Sequence, residues 1–374
     1  MDTCGVLIVG AGPSGSACAW KLRGSGLDVS ILDKQVFPRD KVCGGWITPA
    51  VLAELQIDSR EYARGRVMQP ITGFRTGCID GPSVFNDYGA AVSYGIRRRE
   101  FDQYLLERSG AKRMEGVNLS SLERNGSEWI VNGTIRAKLL LGAGGHFCPV
   151  ARLTGARPKG ESAIVAQETE FEMDSGQQAA CSIQGEVPEL YFCADLKGYG
   201  WCFRKGNYLN IGLGRMDPHQ LSSHVAGFVR FLKNSGRISF DLPKAMAGHA
   251  YLLYGPATRN VVADGLMLIG DAAGLAYAQS GEGIRPAIES GLLAAKAIIQ
   301  ANGDYHRLRL EPYRTMLAAR FGESGSDWAS SIGRRLPDVF IRSIGRRLLG
   351  LRWFARQVIL NRWFLHSGEP ALIC

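Results

Sequence analysis

The chain has 374 residues, 45% of them hydrophobic and 21% charged, with a formal net charge of +9. That length predicts two cores or an interleaved pair, and no apolar run is long enough for a membrane-spanning helix. Eight arginines and one aspartate between residues 333 and 366 account for +7 and leave +2 elsewhere, so the basicity belongs to the tail and argues against a nucleic-acid partner.

The nine cysteines form no CxxC pair and no Cys/His cluster at metal spacing, so no metal site is expected. Reduced thiols and a cytoplasmic location are the simplest expectation. The chain enters an apolar strand almost at once, and no secretory signal is expected.

In chain order, Val6-Leu-Ile-Val reads as a buried strand and runs directly into Gly10-Ala-Gly12-Pro13-Ser14-Gly15. A helical run to Arg23 follows, then a Gly-Ser-Gly turn and a second apolar strand ending in Asp33. Strand, tight turn, helix and strand in about thirty residues is the context that gives a Gly-rich fingerprint meaning. Gly10 permits the turn, Gly12 admits a pyrophosphate to the backbone, and Gly15 lets helix and strand pack. Free N–H groups at the helix start face the phosphates, and Asp33 is placed for a ribose. The stretch predicts a bound dinucleotide.

Lys34 leads into Phe37-Pro-Arg-Asp-Lys-Val-Cys43-Gly44-Gly45-Trp46, which cannot be a regular element and whose paired glycines suit a flat ligand. Pro49 opens a helix, residues 73–94 read as short strands, and Arg97-Arg98-Arg99 precedes a helix from Phe101 to Gly110. Residues 116–131 suggest a hairpin, and a strand from Arg136 ends in Gly142-Ala-Gly-Gly. From about Ala163 to Tyr251 the pattern is β-rich, broken by a helix at Leu221–Asn234. Strand periodicity puts Tyr199, Trp201, Phe203 and Lys205 on one face, with Gly206-Asn207 as the turn. Residues 265–274 then repeat the opening logic, delivering Gly270 and Asp271 to a second turn, and Gly281-Glu-Gly283-Ile284 precedes a helix to Gln300.

These stretches together resemble the flavoprotein group built on the p-hydroxybenzoate hydroxylase fold, and within it the geranylgeranyl reductase family. The resemblance covers residues 1–302 and rests on the opening fingerprint, Pro38–Gly45, the Gly-Asp segment with Gly-Glu-Gly-Ile, and Tyr-x-Trp-x-Phe-x-Lys at 199–205. Arg204 stands where that last motif usually has Pro, which weakens its use for assigning a substrate. The middle Asp-Gly motif of the hydroxylases is replaced by Gly142–His146.

The resemblance implies an α/β plus α+β fold. A Rossmann-type FAD-binding domain (1–74, 95–156, 257–303) is interleaved with a β-sheet substrate domain (75–94, 157–256), and 304–374 form a helical basic tail. It implies FAD as cofactor, with Gly10, Gly12, Pro13, Ser14, Gly15, Asp33 and Lys34 toward the ADP half. Arg98 would lie on the pyrophosphate side, Val117 would touch adenine by its backbone, Asp271 would contact the ribityl–phosphate region, and Gly283 and Ile284 would donate N–H groups near the isoalloxazine. Cys43, Gly44 and Gly45 would lie beside the flavin. Cys43, Tyr199 and Trp201 are the catalytic candidates: a thiol beside the ring or a small buried residue, and two cavity-lining aromatics or sheet-core packing.

The implied reaction is flavin-dependent reduction of C=C bonds in a prenyl or similar apolar substrate. Its electrons would come from NAD(P)H or a ferredoxin-like carrier, since no second Rossmann fingerprint is present. An oxygen-using monooxygenase or halogenase, and a flavin-binding protein without turnover, are the alternatives. The tail, taken as largely helical from Pro337 to Phe364 and broken into shorter helices at Gly345 and Gly350, puts Arg342, Arg346, Arg352 and Arg356 on one side of a 100° projection. Ile341, Ile344, Leu348, Leu351, Val358 and Ile359 fall on the other. That is either an interfacial membrane helix at the inner membrane face or a lid packed on the body.

Overall fold

The computed structural model describes residues 1–156, 163–217, 219–243, 245–251, 253, 259–322 and 338–373, with no side chains described for 338–343. The expected domain boundary at 256/257 lies outside these residues, as do Pro337 and the side chains of Ile341 and Arg342.

The chain opens with β1 (Asp2–Val9), α1 (Pro13–Leu22) and β2 (Val29–Asp33). It then leaves for β3 (Gly73–Cys78) and β4 (Ser83–Asp87), and returns through α2 (Arg98–Ser109), β5 (Lys112–Glu115) and β6 (Ile135–Gly142). Val6-Leu-Ile-Val forms a central strand, paired in parallel with β2 on one edge and β6 on the other, and all four residues are buried, as in a parallel sheet covered on both faces. The parallel core runs β5–β2–β1–β6, and an antiparallel hairpin, Leu122–Asn125 with Glu128–Val131, is attached to β6.

The second sheet is built from β7 (Ile164–Glu172), β8 (Glu189–Phe192), β9 (Gly198–Lys205), β10 (Tyr208–Arg215) and β11 (Ala247–Tyr251), and its far edge is β3 and β4. Its order is β11–β7–β10–β9–β8–β3–β4. β9 and β10 form a two-residue hairpin through Gly206-Asn207, as the Lys-Gly-Asn-Tyr stretch predicts. One face of this sheet packs on the helix Leu221–Asn234 through Tyr191, Phe228 and Leu232. The other face turns toward the first sheet.

The chain then returns through β12 (Leu266–Leu268), which joins the parallel core beside β6, and α3 (Ile284–Ala301). α3 lies close against α1 because the facing residues are small: a Cβ on Gly291 would collide with the Ser14 carbonyl. The polypeptide thus crosses between the two sheets four times, and the space between them is where its loops converge.

The tail is broken at Gly350, as expected, but runs through Gly345. Asp338–Leu349 is α-helical, Gly350 ends it, and Ala355–Phe364 is wound as a π-helix. A projection at 100° per residue fails across a break and over π-turns, where i→i+5 bonds widen the helix. Ile359 on the projected apolar side is buried, but Ile344 and Leu351 on the same side are exposed. Gly345 does not break the helix; it lets Leu196 approach where a Cβ would collide with it.

Candidate functional site

A cavity of about 600 Å³ opens between the two sheets, within the size range of small-molecule and cofactor sites. One end is formed by β1, α1 and β2. Gly10, at φ 118°, makes the turn off β1, and a Cβ there would collide with the Ala143 carbonyl. Gly15 presses on the Gly10 carbonyl from the first turn of α1, so a side chain would force helix and strand apart. α1 begins with Gly12 as N-cap and Pro13 at N1, and no side chain caps it. Its first N–H groups and positive dipole end are left to a ligand.

Asp33 stands at the end of β2 on the cavity rim, where its carboxylate accepts the N–H of Ala11 (2.7 Å) and of Gln35 (2.9 Å). Above Gly12 lies Arg39, whose guanidinium pairs with Asp102 at 3.0 Å; its Nη1 is buried without a partner among the described residues. Arg98 makes a two-point bridge to the same Asp102, 2.8 Å on each arm. Burial alone would raise the Asp102 carboxyl, but Arg98 and then Arg39 hold it below its ordinary value.

The arrangement fits a dinucleotide on three structural counts. The glycine turn leaves no room for a side chain, an uncapped helix start faces the cavity, and a buried guanidinium nitrogen over that helix start has no partner among the described residues. A second helix start, that of α3, reaches the same cavity: Gly283 is its N-cap, again without a side-chain cap. Asp271 faces it, with Oδ1 3.3 Å from where a Gly283 Cβ would stand. Burial raises the Asp271 carboxyl, partly opposed by Lys41 and Arg98.

Between the two helix starts runs the irregular stretch 39–45, which the second sheet holds in place. Glu168 on β7 accepts the Cys43 N–H at 2.6 Å, and Asn210 on β10 donates to the Cys43 carbonyl at 3.2 Å. Asn210 also accepts the Trp201 indole N–H at 2.7 Å. Burial raises Glu168 to about 7, against the pull of the Cys43 N–H and Lys205. Lys41 meets the ring of His249 on β11 at 3.0 Å. Burial and then Arg98 lower Lys41 to about 8, while burial and then Lys41 push His249 down to about 2, so the imidazole is neutral.

The far end of the cavity is aromatic. Trp46 stacks on Phe203 with centroids 5.3 Å apart, and Phe364 from the tail closes edge-on against Trp46 (5.5 Å) and Tyr199 (5.3 Å). The Tyr199 hydroxyl donates to the Ser280 carbonyl, which ties the second sheet to the loop before α3. In this part of the tail a packed lid is what the structure contains. Behind it His366 stacks on Tyr277 at 3.7 Å, and Arg285 donates to the carbonyls of Glu369 and Pro370.

Of the residues expected from the sequence, Gly10, Gly12, Pro13, Ser14, Asp33, Lys34, Cys43, Gly44, Gly45, Arg98, Tyr199, Trp201, Asp271, Gly283 and Ile284 all line this one cavity. Gly15 lies beneath its floor. Val117 lies outside it, and its N–H is taken by the Asp33 carbonyl at 3.0 Å. Sequence reading gave no role to Arg39 or Lys41, although both stand in the motif at 38–45. It passed over Glu168, Glu282 and Tyr251 because isolated residues in strands and loops carry no spacing signal.

Residues 8–60 match the family model described as an NAD(P)-binding Rossmann-like domain. The chain is 31% identical over 363 residues to a menaquinone reductase of Mycobacterium tuberculosis, covering 90% of this chain and 83% of that protein. It is 27% identical over 340 residues to digeranylgeranylglycerophospholipid reductase 2 of Methanosphaera stadtmanae, covering 85% and 84%. Its fold is similar to that of a geranylgeranyl bacteriochlorophyll reductase-like protein from Thermoplasma acidophilum, with a TM-score of 0.79, 20% identity and 98% of each chain covered.

Proposed function

We propose a reaction on a premise that the relatives establish: the chain belongs to the geranylgeranyl reductase family of flavoprotein oxidoreductases. It is an oxidoreductase that acts on an apolar small molecule. We infer that its cofactor is FAD and that it saturates C=C bonds of a prenyl or similar isoprenoid chain. One observation carries this reading: a single cavity has a basic, glycine-lined end between two uncapped helix starts and an apolar end walled by aromatic rings.

When bound, FAD supplies a two-electron hydride donor that the side chains lack. Gly10, Gly12, Pro13 and Ser14 would hold its ADP half, with Gly15 keeping α1 close, Asp33 on the ribose, Lys34 at the rim and the Val117 backbone near adenine. Arg39 and Arg98 would meet the pyrophosphate, and Asp271 the ribityl side. The N–H groups of Gly283 and Ile284 would donate to the ring edge where negative charge accumulates on reduction. Cys43, Gly44 and Gly45 would lie against the ring, clamped from behind by Glu168 and Asn210. Tyr199 and Trp201, with Phe364 above them, would align the apolar chain and keep water from the reacting carbons.

Electrons would arrive from NAD(P)H or a ferredoxin-like carrier docking briefly at the open rim. No described helix is long and apolar enough to cross a membrane. Leu351 and Trp353, both more than half exposed beside Arg346, Arg347 and Arg352, support contact with the inner membrane face by a cytoplasmic protein whose substrate is a lipid.

The test is a single-turnover incubation. Purified protein carrying FAD is reduced without oxygen and mixed with a geranylgeranyl lipid or menaquinone, and the product is weighed by mass spectrometry. Two added hydrogens per bond, with matching flavin oxidation, is the expected result. Oxygen- or halogen-bearing product formed only in air would replace the reading with an oxygenase or halogenase. Protein that takes up no FAD would remove it.

A further inference from the structure

We propose that Glu168 is the acid of this reaction: its carboxylic proton goes to one alkene carbon while the other receives the hydride, and its second oxygen holds the Cys43 loop in place. The inference rests on the reductase reading above and adds the group that completes the addition. The balance is simple. The π bond breaks, and hydride from reduced FAD and a proton from Glu168 form two C–H bonds. FAD is oxidised, the alkene is reduced by two electrons, and Glu168 is left as a carboxylate until water reprotonates it.

The cavity-facing side of the second sheet places this carboxyl. Across three strands Glu168 on β7, Gly212 on β10 and Trp201 on β9 stand in one row. Gly212 has no side chain, and a Cβ there would collide with the Trp201 ring and stand 2.8 Å from the Glu168 Cβ. The empty position in the middle of the row lets the carboxyl and the indole sit side by side on the cavity wall. Glu168 is 4% exposed and lines the cavity, and its two oxygens differ. Oε1 is committed as an acceptor to the Cys43 N–H at 2.6 Å, whereas Oε2 is buried without a partner among the described residues. A proton on this carboxyl therefore belongs on Oε2.

Charge and burial agree with that placement. The removal of water and then Glu170 favour the acid form; the Cys43 N–H, Lys205 and Arg98 oppose it, and the acid is held at about 7. Lys205 is already matched by Glu170 at 2.7 Å, and Arg98 by Asp102. Lys41 and the neutral His249 lie on the neighbouring strand side, with His249 opposite Ala166.

Other groups on the wall are less suited. The Tyr199 hydroxyl donates to Ser280, and burial raises the phenols of Tyr199 and Tyr251 far above neutrality. Glu282 lines the same cavity and is held near 7 as well, but its Oε1 is taken by the Arg285 N–H at the start of α3.

The test compares Glu168→Gln, which keeps an oxygen for the Cys43 N–H and loses the acid, with Glu168→Ala, which loses both, and with Glu282→Gln. In the FAD-loaded enzyme, Glu168→Gln should take electrons from the donor at the wild-type rate yet transfer them to the alkene about 10²-fold more slowly. The wild-type transfer rate should fall as pH rises through about 7, and that fall should vanish in Glu168→Gln while persisting in Glu282→Gln. Independently of turnover, infrared titration of the cofactor-free protein should show a carboxylic C=O band that disappears with rising pH and is missing from Glu168→Gln. Wild-type transfer kinetics and pH profile in Glu168→Gln, or no such band, would overturn the proposal and leave the reductase reading standing. Absence of alkene reduction by the wild type would remove both.

Discussion

Arg39 and Arg98 converge on a single fully buried carboxylate, Asp102, which orients both guanidiniums at the proposed dinucleotide site. Two guanidiniums held 3 Å from one carboxylate leave a surplus positive charge beside Gly12, where the proposed pyrophosphate site needs it. Asp102 has its carboxyl held below the ordinary value, so it contributes stability above the unfolded-state pKa and loses it as pH falls through the folded one. Replacing it by Asn leaves two buried cations short of a partner. Asp102→Asn should therefore lose ~3 kcal/mol in urea unfolding at pH 7. The difference from wild type should shrink as pH falls below the ordinary aspartate range, where the wild-type carboxyl is driven toward protonation.

Among the elements, the β9–β10 hairpin and the tail behave in opposite ways. A two-residue alternation puts Tyr199, Trp201, Phe203 and Lys205 on one face; the three aromatics line the cavity and Lys205 is buried. What the alternation could not supply is the reason a lysine belongs there: Glu170, which neutralises the buried Lys205, comes from β7, 35 residues earlier. The tail has an amphipathic composition but no constant period, because Gly350 resets the phase and the next turns are π-wound. Its residues are divided between two tasks. Ile359, Leu360 and Phe364 face the core, while Ile344, Leu351 and Trp353 remain exposed among arginines. Leu351→Ala with Trp353→Ala should leave thermal stability unchanged, since surface positions carry little packing. The pair should weaken cosedimentation with phosphatidylglycerol-containing vesicles about tenfold, and added salt should weaken it further. Unaltered vesicle binding would assign those two side chains to solvent alone.

For the whole molecule, the closing segment 366–373 is bolted to the first residues of α3 and to the helix Pro49–Glu54. Leu372 donates to Glu54 at 3.1 Å, Arg285 sits 2.9 Å from Glu289, and Arg320 reaches Glu289 at 2.9 Å. Burial, and then the Glu289 carboxylate, raises Glu54 from 4.5 to about 8. A raised carboxyl gives its full stability below 4.5 and loses it as pH climbs toward 8. Glu54→Gln should accordingly melt like wild type at pH 5 and be more stable by about 1 kcal/mol at pH 8.5. Equal melting curves at both pH values would mean that Arg285 and Arg320 already neutralise the pair.

The opening strand, turn and helix were legible in the sequence because what specifies them is short-ranged: an apolar run, a glycine at positive φ, a proline at the first helical position. The same holds for Asp271 with Gly283, and for the alternation that brings Tyr199 and Trp201 to one wall. Family resemblance added the expectation of FAD and of two interleaved domains. The grip of Glu168 on Cys43 across 125 positions was not legible, nor was that of Arg39 on Asp102, nor the closing contact of Phe364 on Trp46. Each depends on burial and on distance through space, and both of those come into being only when the sheets close on one another.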